Sequence, residues 1–554
     1  MENSRENGSQ IISKETTKPE NIPQTAASLV RHGSLLSLLT LISRVLGLVR
    51  EMVKARFLGT TALSDAFSVA FLLPNLFRRL CAEGSISTAF IPTFKEHLIE
   101  GEKEKANQAA TSLQATREFL ACMFTFLTFI VTLLVCAGIL TAPLLVRIFG
   151  IEEFDETVLL TRIMFPFLGF ISLAALFQGV LNSLHIFTPS GLAPILLNIV
   201  TIVCAYVLSP HTANPARAMA IGILIGGFLE GAIQLPFIMQ KGYKFFITGL
   251  KRAFNNPGVR KVLRLIAPTI VGMAAYQLND LVSTALAGRA GEGIVSSLQY
   301  SLRLQELFLG VFAVSIGTVL LPNLTEYAKT GQWDIYNKRL VSSVNIIAMI
   351  TIPVTFFSLM EGNNLIRLLF QSHSFDEQSV ALTLAAFTFH MPGLLFIALN
   401  RVIAPAFYAQ SDTKSPTIAG IISFAVNITL AAILVGRFRG AGIAFALTIA
   451  SAVNTFILII FLGKNPNIKI SSVIAPSLLY ILKMLFLSAL ALIPIYFISP
   501  LLCAMFMGHG RLISYGAPFA INAAVYIAIG IALLALVKDQ NLKGLIDIIG
   551  KKVK

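Results

Sequence analysis

Apolar runs of roughly twenty residues recur along nearly the whole chain, each long enough to cross a hydrocarbon core of about 30 Å as a helix. Taking Gly, Pro and charge clusters as boundaries predicts helices at about 35–57, 64–93, 115–144, 157–186, 190–209, 216–240, 258–288, 293–324, 340–361, 378–409, 414–435, 440–463, 472–499 and 514–537. The pattern is that of an all-α integral membrane protein with about fourteen spans by the twenty-residue criterion. Several spans hold an internal proline, at Pro74, Pro166, Pro392 and Pro494. Membrane helices tolerate this when neighbours satisfy the freed carbonyl.

The connections carry an uneven charge. Lys and Arg crowd alternate loops, among them "KEHLIEGEKEK" (95–105), "KGYKFFITGLKRAFNNPGVRKVLR" (241–264), "KTGQWDIYNKR" (329–339) and the C-terminal "KDQNLKGLIDIIGKKVK" (538–554). Roughly 25 fall on that side against about 7 on the other, which predicts that both termini are cytoplasmic. Loops are short, leaving no room for an extramembrane catalytic domain.

A repeat sets the architecture. "SISTAFIPTFKEH" (85–97) matches "SIGTVLLPNLTEY" (315–327) at an offset of 230, and "LLNIVTI" (196–202) matches "AVNITLA" (425–431) at 229. Two matches at nearly one offset argue for duplication. Six spans per copy is even, so the copies form two pseudo-symmetric six-helix bundles related by an axis along the membrane normal, with a central cavity between them. The expected divisions are a polar N-tail (1–33), an N-lobe (34–240), a basic linker (241–257), a C-lobe (258–464), two extra C-terminal helices (465–537) and a basic C-tail (538–554).

Composition agrees: of 554 residues 55% are hydrophobic and 13% charged, against about 25% charged in soluble domains. The net charge of +15 is mostly topological, so it does not indicate nucleic acid. The five cysteines stand singly in apolar segments, without metal-like spacing. The first thirty residues lack the apolar core of a signal peptide.

Charges inside the spans need a reason, since each costs at least about 2.5–3.5 kcal/mol at a helix centre. The first half holds Arg44, Arg50, Glu51, Lys54, Arg56, Asp65, Arg78, Arg79 and Glu83; the second holds Asp280, Arg303, Glu306, His390 and Arg401, with Lys483 beyond. Gly47 lets the first helix bend so that Arg44 and Arg50 share a cavity. Arg78 is spaced to bond Glu83, and Arg303–Glu306, at i,i+3, is the matching pair in the second bundle. Guanidinium gives bidentate donors to phosphate oxygens and keeps its charge, so cavity arginines suit a phosphate or pyrophosphate. The bland alternative is that the arginines only pair with carboxylates or snorkel, most readily Arg50, Arg79, Lys54 and Arg56, which lie nearer the segment ends. Asp280 beside Asn279 suits a cation or a proton, or a plain helix–helix hydrogen bond, and His390 reads as a packed neutral histidine.

The stretches "SRVLGLVRE", "SDAFSVAFLLPNLFRRLCAEGSISTAFIPTF" and "YSLRLQELFLGVFAVSIGTVLLPNL" resemble the MurJ/MviN family of bacterial lipid II flippases, within the MOP transporter superfamily. The resemblance spans helices 1–12. It implies a fourteen-helix inner-membrane protein, not an enzyme, that moves undecaprenyl-pyrophosphate-linked peptidoglycan precursor (lipid II) to the outer leaflet by alternating access, driven by membrane potential or an ion gradient. Carried over by position, the substrate-binding arginines are Arg44, Arg50, Arg78 and Arg303, with Asp65 and Glu83 as functional acids and Arg79 and Glu306 beside them. The resemblance also implies a lipid groove formed by the two extra helices. It implies ion coupling, Na+ or H+, near Asp280, with Asn279 and Asn400, and no other cofactor. Expected partners are lipid II, membrane lipid and cell-wall synthesis proteins. The rival readings are a flippase for another polyprenyl-pyrophosphate oligosaccharide, a multidrug exporter of the same superfamily, a polyprenyl-phosphate enzyme and a scaffold. An exporter of organic cations wants an acidic cavity, an enzyme wants clustered carboxylates or histidines on a loop, and a scaffold gains nothing from buried arginines.

Overall fold

The computed structural model describes residues 26–80, 85–106 and 111–543, and every regular element among them is a helix. The first half consists of α1 (Ala26–Leu58), α2 (Ala62–Arg78), α3 (Ser85–Ala106), α4 (Thr111–Arg147), α5 (Phe154–Ser183), α6 (Thr188–Leu208), α7 (Pro215–Ala232) and α8 (Leu235–Gln240). A short α9 (Leu250–Asn255) leads into α10 (Pro257–Gly288), α11 (Ile294–Lys329), α12 (Trp333–Phe370), α13 (Glu377–His390), α14 (Gly393–Tyr408) and α15 (Lys414–Leu462). Two more, α16 (Ile470–Phe506) and α17 (Arg511–Leu536), follow.

Local chemistry starts these helices where the chain turns. Thr61 Oγ1 accepts the Ser64 N–H to cap α2, and Asp376 Oδ1 accepts that of Ser379 at 2.9 Å to cap α13. Pro257 opens α10 behind Asn256, whose side-chain oxygen takes the Gly258 and Val259 amides. Eight helices are long and apolar enough to cross a membrane among the described residues, nine when the bent pair α13 and α14 counts as one. The arginine-bearing α1, α2, α10 and α11 are not among them. A straight helix of the 49 residues of α15 would run about 74 Å, more than twice the hydrocarbon thickness of about 30 Å. Instead α15 breaks at Arg439 (φ 47°, ψ −128°), which lets one element fill the places of the expected helices 11 and 12.

The duplication is visible in the packing. In the first half α1 lies on α6, α2 on α5 and α5 on α7; in the second α10 lies on α15, α11 on α14 and α14 on α15. The repeated asparagines occupy matching posts. Asn198 Nδ2 on α6 donates to Ser43 O on α1, and Asn427 Nδ2 on α15 donates to Asn279 Oδ1 on α10 at 2.8 Å. Each lobe has its own core, one around Phe90, Phe94 and Phe119 and the other around Tyr336, Phe387 and Phe407. The start of α10 belongs to the first: Val259 and Val262 bury in the N-lobe core. The extra helices α16 and α17 pack on α12.

Candidate substrate site

The lobes meet at the end of the molecule where α1 turns into α2, here the latch end; α17 finishes at the opposite, tail end. Gly59 and Gly293 make this junction possible. Both have positive φ (57° and 78°), and a Cβ would stand 1.9 Å from Ser374 O and 2.3 Å from Thr60 O respectively. Across the resulting seam Asp65, 2% exposed, accepts the amides of Gly293 and Ser296 at 2.8 Å each, capping α11 from the other lobe. Tyr300 Oη donates to Gly59 O, Glu292 Oε1 accepts the Ala62 amide, and Thr60 Oγ1 bonds Ser379 Oγ. A helix N-terminus is the natural seat for a carboxylate, because its first amides lack intrahelical partners and carry partial positive charge. Every oxygen of Asp65 is therefore occupied at the seam, and the structure places this residue in a latch between lobes.

Above the latch, α1 and α11 present their charges to each other. Arg50 Nη2 is 2.9 Å from Glu51 Oε1, and Arg303 of the other lobe reaches the same carboxylate at 4.0 Å while bonding Glu306 at 3.1 Å. α1 runs unbroken past Gly47, whose bare face meets the Arg303 guanidinium. About 9 Å further along α1, at 1.5 Å per residue, Arg44 lays its guanidinium against Gly310 of α11; a Cβ there would overlap it at 1.4 Å. Among the described residues Arg44 has no carboxylate partner. Arg78 closes α2, where its Nε bonds Asn75 Oδ1 at 2.8 Å, and its positive field reaches Arg50 together with that of Arg303. Four guanidiniums from two lobes thus share one region, with Glu51 and Glu306 as the carboxylates that pair there among the described residues, an arrangement that attracts a polyanion.

At the floor of this region lies a cavity of about 30 Å³, lined among others by Arg50, Glu51, Lys54, Ser68, Phe71 and Gln299, room for one or two waters. Lys54 lies near the end of α1, as its place in the sequence predicts, but it does not snorkel: it is 3% exposed, donates to Ser68 Oγ at 2.6 Å and Gln299 Oε1 at 3.2 Å, and lies 5.0 Å from the Tyr300 ring centroid. It joins α1 to a residue of each lobe. Its spacing from Glu51 (i,i+3) was the available signal for both residues. Arg56, one turn beyond the cavity, is exposed against Tyr206.

The other expected residues go elsewhere. Arg79 Nη1 stands 3.5 Å from Asp280 Oδ2, an ion pair across the lobes, and Asn279 accepts from Asn427. Asn400 bonds Ser451 O and Thr455 Oγ1. His390 is 1% exposed, with Nδ1 2.6 Å from Ser301 Oγ, a packed histidine. Arg401 is exposed, and Lys483 bonds Asp539 at 2.6 Å. No group of three or more His, Cys, Asp or Glu side chains converges among the described residues. Glu83, with its expected bond to Arg78, lies outside the described residues.

Two lobes of one repeat, joined at the Asp65 seam, through the Arg79–Asp280 pair and by the start of α10, with arginines from both between them, define a polytopic transporter fold. The same fold occurs in an inward-facing multidrug transporter of the MATE family and MOP superfamily, with TM-score 0.61 and 13% identity over 76% of this chain and 95% of that one. A structure titled "Lipid II flippase MurJ, inward closed conformation" matches with TM-score 0.73 and 23% identity over 91% of this chain and 99% of that chain. The family described as lipid II flippase MurJ matches residues 54–511. A Treponema pallidum protein named "Probable lipid II flippase MurJ" is 44% identical over 93% of this chain and 97% of its own length. The "Lipid II flippase MurJ" of Burkholderia cenocepacia is 33% identical over 77% and 82%. The chain belongs to the lipid II flippase MurJ family.

Proposed function

We propose that this protein carries lipid II, a polyprenyl-pyrophosphate glycolipid, from the cytoplasmic to the outer leaflet of the bacterial inner membrane by alternating access. The observation that carries the reading is the gathering of Arg44, Arg50, Arg78 and Arg303 from both lobes behind a closed latch. The excess of Lys and Arg in the tail-end loops assigns that end, and both termini, to the cytoplasm. The pyrophosphate enters from there, and the arginines replace its hydration with bidentate donors. The tail stays in lipid along the exposed apolar faces of α16 and α17, where Leu479, Phe486, Leu501 and Leu512 stand.

Binding joins the lobes through one anion, favours closure of the tail end and so drives release of the latch. Returning the emptied cationic site toward a negative cytoplasm is favoured by about 2.3 kcal/mol per charge per 100 mV if the whole field is crossed. A cation gradient is the other candidate drive, and the action requires no chemical catalysis. Arg78→Ala and Arg303→Ala abolish complementation of a flippase-depleted cell while the protein still inserts; full rescue by both rejects the clamp. Arg303→Lys fails too, because a point charge cannot reproduce the fork. Collapsing the potential, with ATP maintained, stops exposure of lipid II on the outer leaflet; continued exposure rejects the drive.

A further inference from the structure

Away from the arginines, one carboxylate is buried where the transport reading gives it no task. Glu361 on α12 is 1% exposed and lies about 14 Å from the end of its helix at Phe370, counting 1.5 Å per residue. Its described partners are all neutral. Ser499 Oγ of α16 donates to Oε1 at 2.7 Å, Asn522 Nδ2 of α17 to the same oxygen at 2.8 Å, and Asn364 Nδ2 to Oε2 at 2.7 Å. Around them pack Phe357, Met360, Ile495 and Tyr526. Neutral donors solvate a carboxylate without cancelling its charge, and an uncompensated charge in such surroundings is expensive.

A second observation points to what compensates it. Asn522 is 0% exposed, yet its Oδ1 has no donor. The oxygen and nitrogen of an amide are nearly the same size, so turning the Asn522 side chain over brings that oxygen to the place beside Glu361 now held by Nδ2. A carboxylate oxygen, an amide oxygen and a serine hydroxyl then converge from three helices. Oxygens so close repel unless a positive species lies between them. Hard oxygen ligands with a single negative charge suit a small monovalent cation and offer nothing to a soft transition metal.

We propose that Glu361, Asn522 and Ser499, with Asn364 at the second carboxylate oxygen, bind one sodium ion that fastens α16 and α17 to the C-lobe. The site is separate from Asp280 and does not rest on the transport reading. Its occupancy sets how firmly the two extra helices are held. The test uses the full-length protein in nanodiscs at constant ionic strength, comparing NaCl with choline chloride at pH 7.5. Direct binding of radioactive sodium and the thermal unfolding midpoint are both read. Saturable binding and a sodium-specific rise in Tm are expected in the parent protein and in the surface control Glu377→Gln. Glu361→Gln keeps the shape and one accepting oxygen but weakens sodium binding at least tenfold, and Ser499→Ala weakens it in the same direction. If Glu361→Gln does not fold, Ser499→Ala decides alone. Absence of saturable binding in the parent, equal binding in the folded variants, or a Tm rise given by choline as readily as by sodium each overturns the proposal.

Discussion

Removing the Asp65 carboxylate gives the sharpest test of the latch. In the closed seam two backbone amides of α11, Gly293 and Ser296, have this side chain as their acceptor, each at 2.8 Å. Asp65→Ala leaves both N–H groups buried without a partner, at roughly 1–3 kcal/mol each. In an opened seam water takes the same two amides, so the substitution penalises only the closed form. The difference is about 2–6 kcal/mol, which shifts the closed-to-open ratio by on the order of 30-fold at the least. Spin labels on Cys introduced at Glu152 and Gln378, exposed residues of opposite lobes at the latch end, read this directly by pulsed dipolar spectroscopy. The parent gives one short distance; Asp65→Ala gives a dominant longer one. An unchanged distribution in a folded variant refutes the assignment of Asp65 to a latch.

Lys54→Met keeps length and apolar stem but removes the cation that bonds Ser68 and Gln299. Flippase complementation falls at least tenfold while the amount of inserted protein changes little, and full activity shows that the buried ammonium is dispensable. Gly310→Leu pushes the Arg44 guanidinium off its seat, where even a Cβ would overlap it. Lipid II exposure on the outer leaflet falls as far as with Arg44→Ala, and a normal rate shows that Arg44 works from another position. Asp376→Ala removes the cap of α13 and lowers stability by about 1 kcal/mol, read as a lower Tm at neutral pH. The Ser379 amide holds the Asp376 carboxyl below its usual range. The cap's contribution is therefore complete above the free value of about 3.9 and is lost as pH falls through the lower folded value, so parent and variant converge in acid.

What could be read from the sequence was what repeats or what is forbidden in lipid. Apolar runs located the helices because a membrane enforces their length, and the offset matches at Asn198 and Asn427 fell on matching contacts because each copy folds against its own first helix. Arg44 and Arg303 stood out because guanidinium in an apolar run demands a reason. Partnership across the lobes was not legible. Asp65 sits 228 residues from Gly293, Arg79 pairs with Asp280, and Lys54 reaches Gln299 245 residues away. Spacing along one helix reports only neighbours within a turn or two. For that reason Lys54 read as a side chain free to snorkel rather than a buried one, and Glu361, whose polar partners lie on α16 and α17 as well as one turn along α12, raised no signal at all.

The two charged regions of α1 are not independent, and their order along the helix gives the proposed anion a route from one to the other. Glu51 is held by Arg50 and faced by Arg303; one turn on, Lys54 stands between the cavity and the seam, tied to Ser68 of α2 and Gln299 of α11. Ser68 in turn donates to Ser64 O, one residue before Asp65. A polyanion that engages Arg50 and Arg303 competes with Glu51 for the same donors. The freed carboxylate is then within one helical turn of the Lys54 ammonium, which a buried charge of opposite sign attracts more strongly than the neutral Gln299 does. Moving Lys54 toward Glu51 takes it away from α11, the helix that Asp65 caps. In the proposed cycle, an anion arriving at the arginines would therefore weaken the Lys54–Gln299 contact, a second tie between the lobes beside the Asp65 latch, through three residues on less than two turns of α1.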